Sequence, residues 1–134
     1  MLKKTITFID FNGNERTEDF YFNLSKAEIM EMELSTAGGL AETIQKVVAT
    51  QDAPSIIKIF KDLILKAYGE KSPDGRRFMK EDEYGRKLYK NFEQTEAYSQ
   101  LFTELATNAE SAAAFVNGIV PADMGKKVAA LPKN

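Results

Sequence analysis

Hydrophobic and polar positions alternate with period two at the start of this chain. Ile6, Phe8 and Asp10 fall on one side, and Thr7, Ile9 and Phe11 on the other. Such alternation marks a strand whose faces meet different surroundings. Here both faces are partly apolar, so helices are expected to cover one of them. Asn12-Gly13 follows, a strong hairpin signal because the turn residues need positive φ. The return run "RTEDFYFNL" carries Phe20 and Phe22 on one face and Tyr21 on the other. The pattern predicts an antiparallel hairpin with strands at about 2–11 and 15–23. A lone hairpin is marginal in water, so it has to pack on helices or pair with another chain.

After the hairpin the period lengthens to that of a helix. Ser25 with Glu28 three residues later is a capping box. The helix it opens has Ala27, Met30 and Leu34 on one side, and Thr36–Gly39 breaks it. Leu40, Ile44, Val47 and Val48 predict a second helix to about Thr50. Asp52 and Pro54 start the clearest one, Pro54–Tyr68, with a wide apolar face that includes Ile56, Ile59, Phe60, Leu63 and Ile64. A face that wide predicts a central core helix, and Gly69 reads as its C-terminal stop. Gly69 to about Arg77 reads as a loop around Pro-Asp-Gly. Glu81–Phe92 reads as a weak, highly charged helix with Gly85 inside it. Beyond Thr95, the residues Tyr98, Leu101, Phe102, Leu105 and Ala109 share a face. Thr107 with Glu110 reads as a second capping box, and the last helix ends at Gly118 and Pro121. The expected fold is α+β and mostly α-helical: an N-terminal antiparallel β-hairpin (2–23) followed by a five- to six-helix bundle (25–120). These form one domain, 1–121, with a flexible C-terminal tail at 122–134.

Composition narrows the function. A chain of 134 residues can bury a core without cross-links. Cys and His are both absent, which removes disulfides, thiolate metal sites, and the commonest general base and metal ligand. With 18 basic and 20 acidic residues there is no basic excess of the kind nucleic-acid binders use. The alternating N-terminus is no signal peptide, and no apolar run approaches the ~18 residues of a membrane span. The chain reads as an intracellular, non-catalytic protein with no cofactor, no nucleic-acid partner and no membrane contact.

Three stretches and one residue class invite chemistry. Asp10–Glu15 resembles the start of a calcium loop, but Glu15 stands where glycine belongs and Tyr21 where glutamate belongs, so a turn is the better reading. Glu81–Glu83 clusters three carboxylates, which consecutive helical residues do not aim at one point. Hydroxyl nucleophiles are present but have no base at any telling spacing. Arg76 and Arg77 beside the Pro-Asp-Gly turn suit a phosphate or carboxylate, without the glycine spacing of a Walker loop. Pairing of these arginines with Glu81–Glu83 is the plainer alternative. The candidate contact residues are Arg76, Arg77 and Phe78 in the loop, then Tyr84, Leu88, Tyr89 and Phe92 in the amphipathic stretch beyond it.

Two segments carry a family likeness. "AYGEKSPDGRRF" (67–78) and "TEAYSQLFTELATNAESAAAFVNGIVP" (95–121), with "FNGNERTEDFYFNLSKAEIMEME" before them, resemble the tail assembly chaperones of long-tailed, siphovirus-like phages and prophages of Gram-positive bacteria. The resemblance implies a protein that binds and solubilises the tape measure protein and recruits tail tube subunits in the cytoplasm of the bacterial host. It also implies self-association along the tape measure. Many such genes yield a longer product by a −1 frameshift, and Gly125-Lys126-Lys127 is compatible with the run of A nucleotides that slippage needs. The alternative is a structural tail or head–tail component, a ring or adaptor built by edge pairing of the hairpin.

Overall fold

The computed structural model describes residues 1–35 and 53–121. The predicted helix near 40–50 and the predicted tail lie outside them. Strands β1 (Leu2–Ile9) and β2 (Glu15–Phe22) pair antiparallel along their whole length, from Leu2 opposite Phe22 to Ile9 opposite Glu15. Between them the Asp10 carbonyl accepts from the Gly13 N–H at 3.0 Å, and Gly13 has φ +83°. The turn therefore centres on Phe11 and Asn12, and the positive-φ glycine comes after it.

Helix α1 (Lys26–Ser35) has the expected capping box. The Ser25 N–H donates to Glu28 Oε1 at 2.9 Å, and the Glu28 N–H donates to Ser25 Oγ at 3.1 Å. Helix α2 (Ala53–Ala67) leads directly into β3 (Tyr68–Lys71), and β4 (Phe78–Met79) follows. Then come α3 (Tyr89–Glu93), α4 (Glu96–Thr107) and α5 (Ala109–Ile119). Among the described residues no helix is long and apolar enough to cross a membrane.

The class is α+β, but a hairpin set before a helix bundle does not describe the arrangement. The four strands form one antiparallel sheet in the order β1-β2-β3-β4. Tyr21 lies opposite Gly69 and Phe22 opposite Tyr68. Ile6, Phe8, Phe20 and Phe22 line the inner face and are buried with Phe60, Leu63, Ile64, Phe92, Leu101 and Phe115 from the helices. The Phe22 ring meets Phe115 at 5.3 Å and Phe92 at 5.6 Å, both edge-on, and Tyr68 stacks on Phe92 at 4.5 Å. The outer face of β1 and β2 is mostly exposed and polar, apart from the exposed Ile9 and the half-buried Tyr21. Thr5 donates to Asp19 at 2.6 Å, and the Thr7 and Thr17 hydroxyls lie 2.8 Å apart.

Three local expectations are corrected. Gly69 does not stop a helix with a left-handed residue; it sits inside β3. A Cβ there would lie 2.5 Å from the Phe78 ring and 2.7 Å from the Met79 carbonyl, so glycine is needed for close approach. Glu81–Leu88 is not helical. Gly85 has φ +79°, and Asp82 captures backbone N–H groups, a local bond that competes with helix. Thr107 does not cap α5: its hydroxyl donates to the Thr103 carbonyl, while Asn108 accepts from the Glu110 and Ser111 N–H groups.

Gly69→Ala is expected to lower the unfolding free energy by about 1–3 kcal/mol through overpacking. Urea denaturation measures this, and an unchanged midpoint would show that the Phe78 ring is not fixed over Gly69.

Candidate functional site

Three turns follow one plan: an oxygen side chain, two residues, then a positive-φ glycine. They are Asp10–Gly13, Ser72–Gly75 and Asp82–Gly85, and in each the first carbonyl accepts from the glycine N–H at 2.9–3.0 Å. In the first, Asp10 Oδ1 accepts from the Asn12 and Asn14 N–H groups, while Oδ2 takes Arg16 Nε at 2.6 Å. In the third, Asp82 Oδ1 accepts from the Tyr84 and Arg86 N–H groups, and Oδ2 takes Arg86 Nε at 2.7 Å. Lys87 pairs with Glu81 across the base of that turn.

The middle turn, between β3 and β4, differs. Ser72 is buried, and its hydroxyl donates to Asp74 Oδ1 at 2.6 Å and accepts from the Arg77 N–H at 3.0 Å. Asp74 also takes the Arg76 N–H at 3.1 Å. The turn carboxylate is thus spent mainly on a hydroxyl and a backbone amide, while the Arg77 charge acts on it from beyond ion-pair distance. Arg16 and Arg86 are held by the aspartates of their own turns. The Arg76 and Arg77 guanidiniums are exposed, with no hydrogen bond or ion pair among the described residues. The expected pairing with Glu81–Glu83 does not form: Glu81 goes to Lys87 and Asp82 to Arg86.

The other candidate residues scatter. Phe78 is half-buried, with its ring over Gly69. Tyr84 is 74% exposed at the tip of the third turn, with the Arg86 guanidinium 5.1 Å from its ring centre. Leu88 and Tyr89 are half-buried. Phe92 is 2% exposed at the centre of the aromatic cluster, which leaves it no surface to offer a partner.

Sequence reading missed two features. Phe11 is 77% exposed at the hairpin tip, beside Ile9 at 54%. Lys80 is a half-buried cation that donates to the Asn23 carbonyl at 2.9 Å and to the Lys66 carbonyl, and lies 3.5 Å from Glu28. It joins the end of β2, the last turn of α2 and the cap of α1. A cation suits the carbonyl end of a helix. Burial pushes its pKa down, and Glu28 opposes that. Its partners lie 57, 14 and 52 residues away, so no local motif announces it.

No acidic cluster among the described residues is arranged to hold a metal. Among the described residues, what is offered outward includes two arginines that make no ion pair and a few exposed apolar side chains. Comparison with protein-family models gives a match to the phage tail assembly chaperones over residues 1–133. The chain belongs to that family. No curated protein matches it, and no solved structure does. A tail assembly chaperone works on tail proteins, so surface features are where its function has to be sought. In this chaperone two of the glycine turns present exposed aromatic side chains, Phe11 and Tyr84, and the third is followed by Arg76 and Arg77.

The turn aspartates are expected to couple stability to pH on the acid side. The Asp10 carboxyl is held below its ordinary 3.8 chiefly by Arg16, that of Asp74 by the Ser72 hydroxyl, and that of Asp82 by the Arg86 N–H. Groups with lowered folded-state values contribute stability above the unfolded value and lose it as pH falls through the folded one. Thermal unfolding of an Asp10→Asn/Asp74→Asn/Asp82→Asn variant should therefore depend less on pH than wild type between about 5 and 2. Equal slopes would refute the assignment.

Proposed function

We propose that this chaperone binds the tape measure protein, keeps it soluble and recruits tail tube subunits to it in the host cytoplasm, without catalysing a reaction. The observation that carries the binding surface is the asymmetry among the turns. Two of the chain's four arginines are locked by their own aspartates, and Arg76 and Arg77 are not. A buried serine fixes the backbone of their turn, so little chain entropy is lost when a partner binds. Guanidiniums grip carboxylates with two parallel bonds, so the matching feature on a client is an acidic side chain on an otherwise apolar helix. Phe78 and Tyr84 add aromatic surface on the same run of chain, with Leu88 and Tyr89 beyond them.

The test is co-expression of tape measure protein with wild type or with Arg76→Ala/Arg77→Ala, followed by affinity capture. The double variant should keep its melting temperature and bind about tenfold or more weakly, the scale expected for charged hydrogen bonds. Equal losses of stability and binding would make the arginines structural. A tape measure protein that stays insoluble with wild type would sink the client assignment, and recovery of the chain in purified virions would favour a structural tail component.

A further inference from the structure

We propose that the cleft between the third glycine turn and α3 is a carboxylate-binding site for acidic peptide segments, built from Arg86, Lys90 and Asn91. The site uses other residues than Arg76 and Arg77, and it does not depend on which tail protein is the client. The cleft measures about 480 Å³. Asp82 and Gly85–Leu88 line it from the turn, and Lys90 and Asn91 line it from α3. Ligand pockets run from about 300 to 1,000 Å³, so the cleft has room for more than a lone inorganic anion. Donors dominate its polar lining, with Arg86, Lys87, Lys90 and Asn91 set against the carboxylate of Asp82. That carboxylate is already occupied, by the Tyr84 and Arg86 N–H groups at one oxygen and by Arg86 Nε at the other.

A contrast with Arg16 singles out Arg86. Each gives its Nε to the aspartate of its own turn, at 2.6 and 2.7 Å. Arg16 also spends Nη1 on Glu18 at 3.3 Å. Arg86 has no second acidic partner among the described residues, so its two Nη groups stay available. A guanidinium fixed at Nε and flanked by the Tyr84 ring keeps the end-on fork that takes a carboxylate by two parallel bonds. The backbone beneath it is already set. Gly85 N–H donates to the Asp82 carbonyl at 3.0 Å, Asp82 N–H to the Arg86 carbonyl at 2.9 Å, and Leu88 N–H to the Lys80 carbonyl at 3.0 Å. Little chain entropy is therefore lost when a ligand enters. Lys87 is neutralised by Glu81, whereas the Lys90 ammonium is exposed and makes no ion pair among the described residues. The cleft thus has one uncompensated cation, enough for a carboxylate and too little for a polyphosphate chain. Leu88 adds an apolar wall, which the methylenes of a glutamate can cover and a phosphate cannot.

The test is an amide NMR titration of the full chain with a capped tetraglutamate peptide. It is run in the Arg76→Ala/Arg77→Ala background, so that its failure and a failure of tape measure capture are separate results. Saturable shifts should centre on residues 82–91, and a capped tetraglutamine peptide should produce none. Arg86→Lys, which keeps the charge and loses the fork, should weaken binding on the order of tenfold. Lys90→Gln should weaken it as well without lowering the melting temperature, since that ammonium holds nothing in the fold. Arg16→Gln should bind as tightly as its parent. Shifts that never saturate or that spread over surface lysines in general would overturn the proposal. So would unchanged binding by Lys90→Gln, or an equal loss with Arg16→Gln. Inorganic phosphate that binds the cleft more tightly than the peptide would overturn the carboxylate assignment.

Discussion

The fold turns on one demand, that the inner face of a short sheet be covered by aromatic side chains from distant parts of the chain. Phe22 is where that demand is met. It is fully buried, with ring contacts to Tyr68, Phe92 and Phe115. Burial of such a side chain is worth about 1.5–3 kcal/mol, and each well-placed ring pair adds roughly 0.5–1.5 kcal/mol. Tyr68 reaches Phe22 only because β3 joins the ladder straight after α2. That abrupt passage needs Gly69, since any side chain there would occupy the space of the Phe78 ring. The aromatic cluster and the glycine are thus two sides of one constraint.

The polar groups around this core are satisfied locally where the chain turns and by Lys80 where it does not. Among the described residues no buried side-chain nitrogen or oxygen lacks a partner. The glycine turns hold their own backbone amides through Asp10, Ser72 with Asp74, and Asp82. Lys80 serves carbonyls at the ends of two other elements, which otherwise face a half-buried region. Its lowered pKa reflects the burial that this position entails.

Features whose physics is local were legible in the sequence. The Ser25–Glu28 box, the β1–β2 alternation and the apolar face of α2 involve residues within one turn or one strand of each other. The failures came where a tertiary contact or a competing local side-chain bond overrode the pattern. Gly69 has the right position for a helix stop, yet a ring nine residues on decides its role. The charges around Gly85 suggested a weak helix, but Asp82 offered its carboxylate to the backbone, and the glycine confirmed the turn. For the candidate surface, residue type was informative about Arg76 and Arg77 but not about Phe92. An aromatic residue among charges reads as a contact until the tertiary structure places it between Phe22 and Tyr68.

The sheet order sets the proposed arginine surface apart from the first strand. The arginine turn joins β3 to β4 on one side of the sheet, and β1 forms the opposite edge, with β2 between them. In the proposed reading, a client held by Arg76 and Arg77 would therefore leave β1 uncovered. Exposed charge contacts are individually weak and screened by salt, so a client gripped through such guanidiniums alone would be readily released.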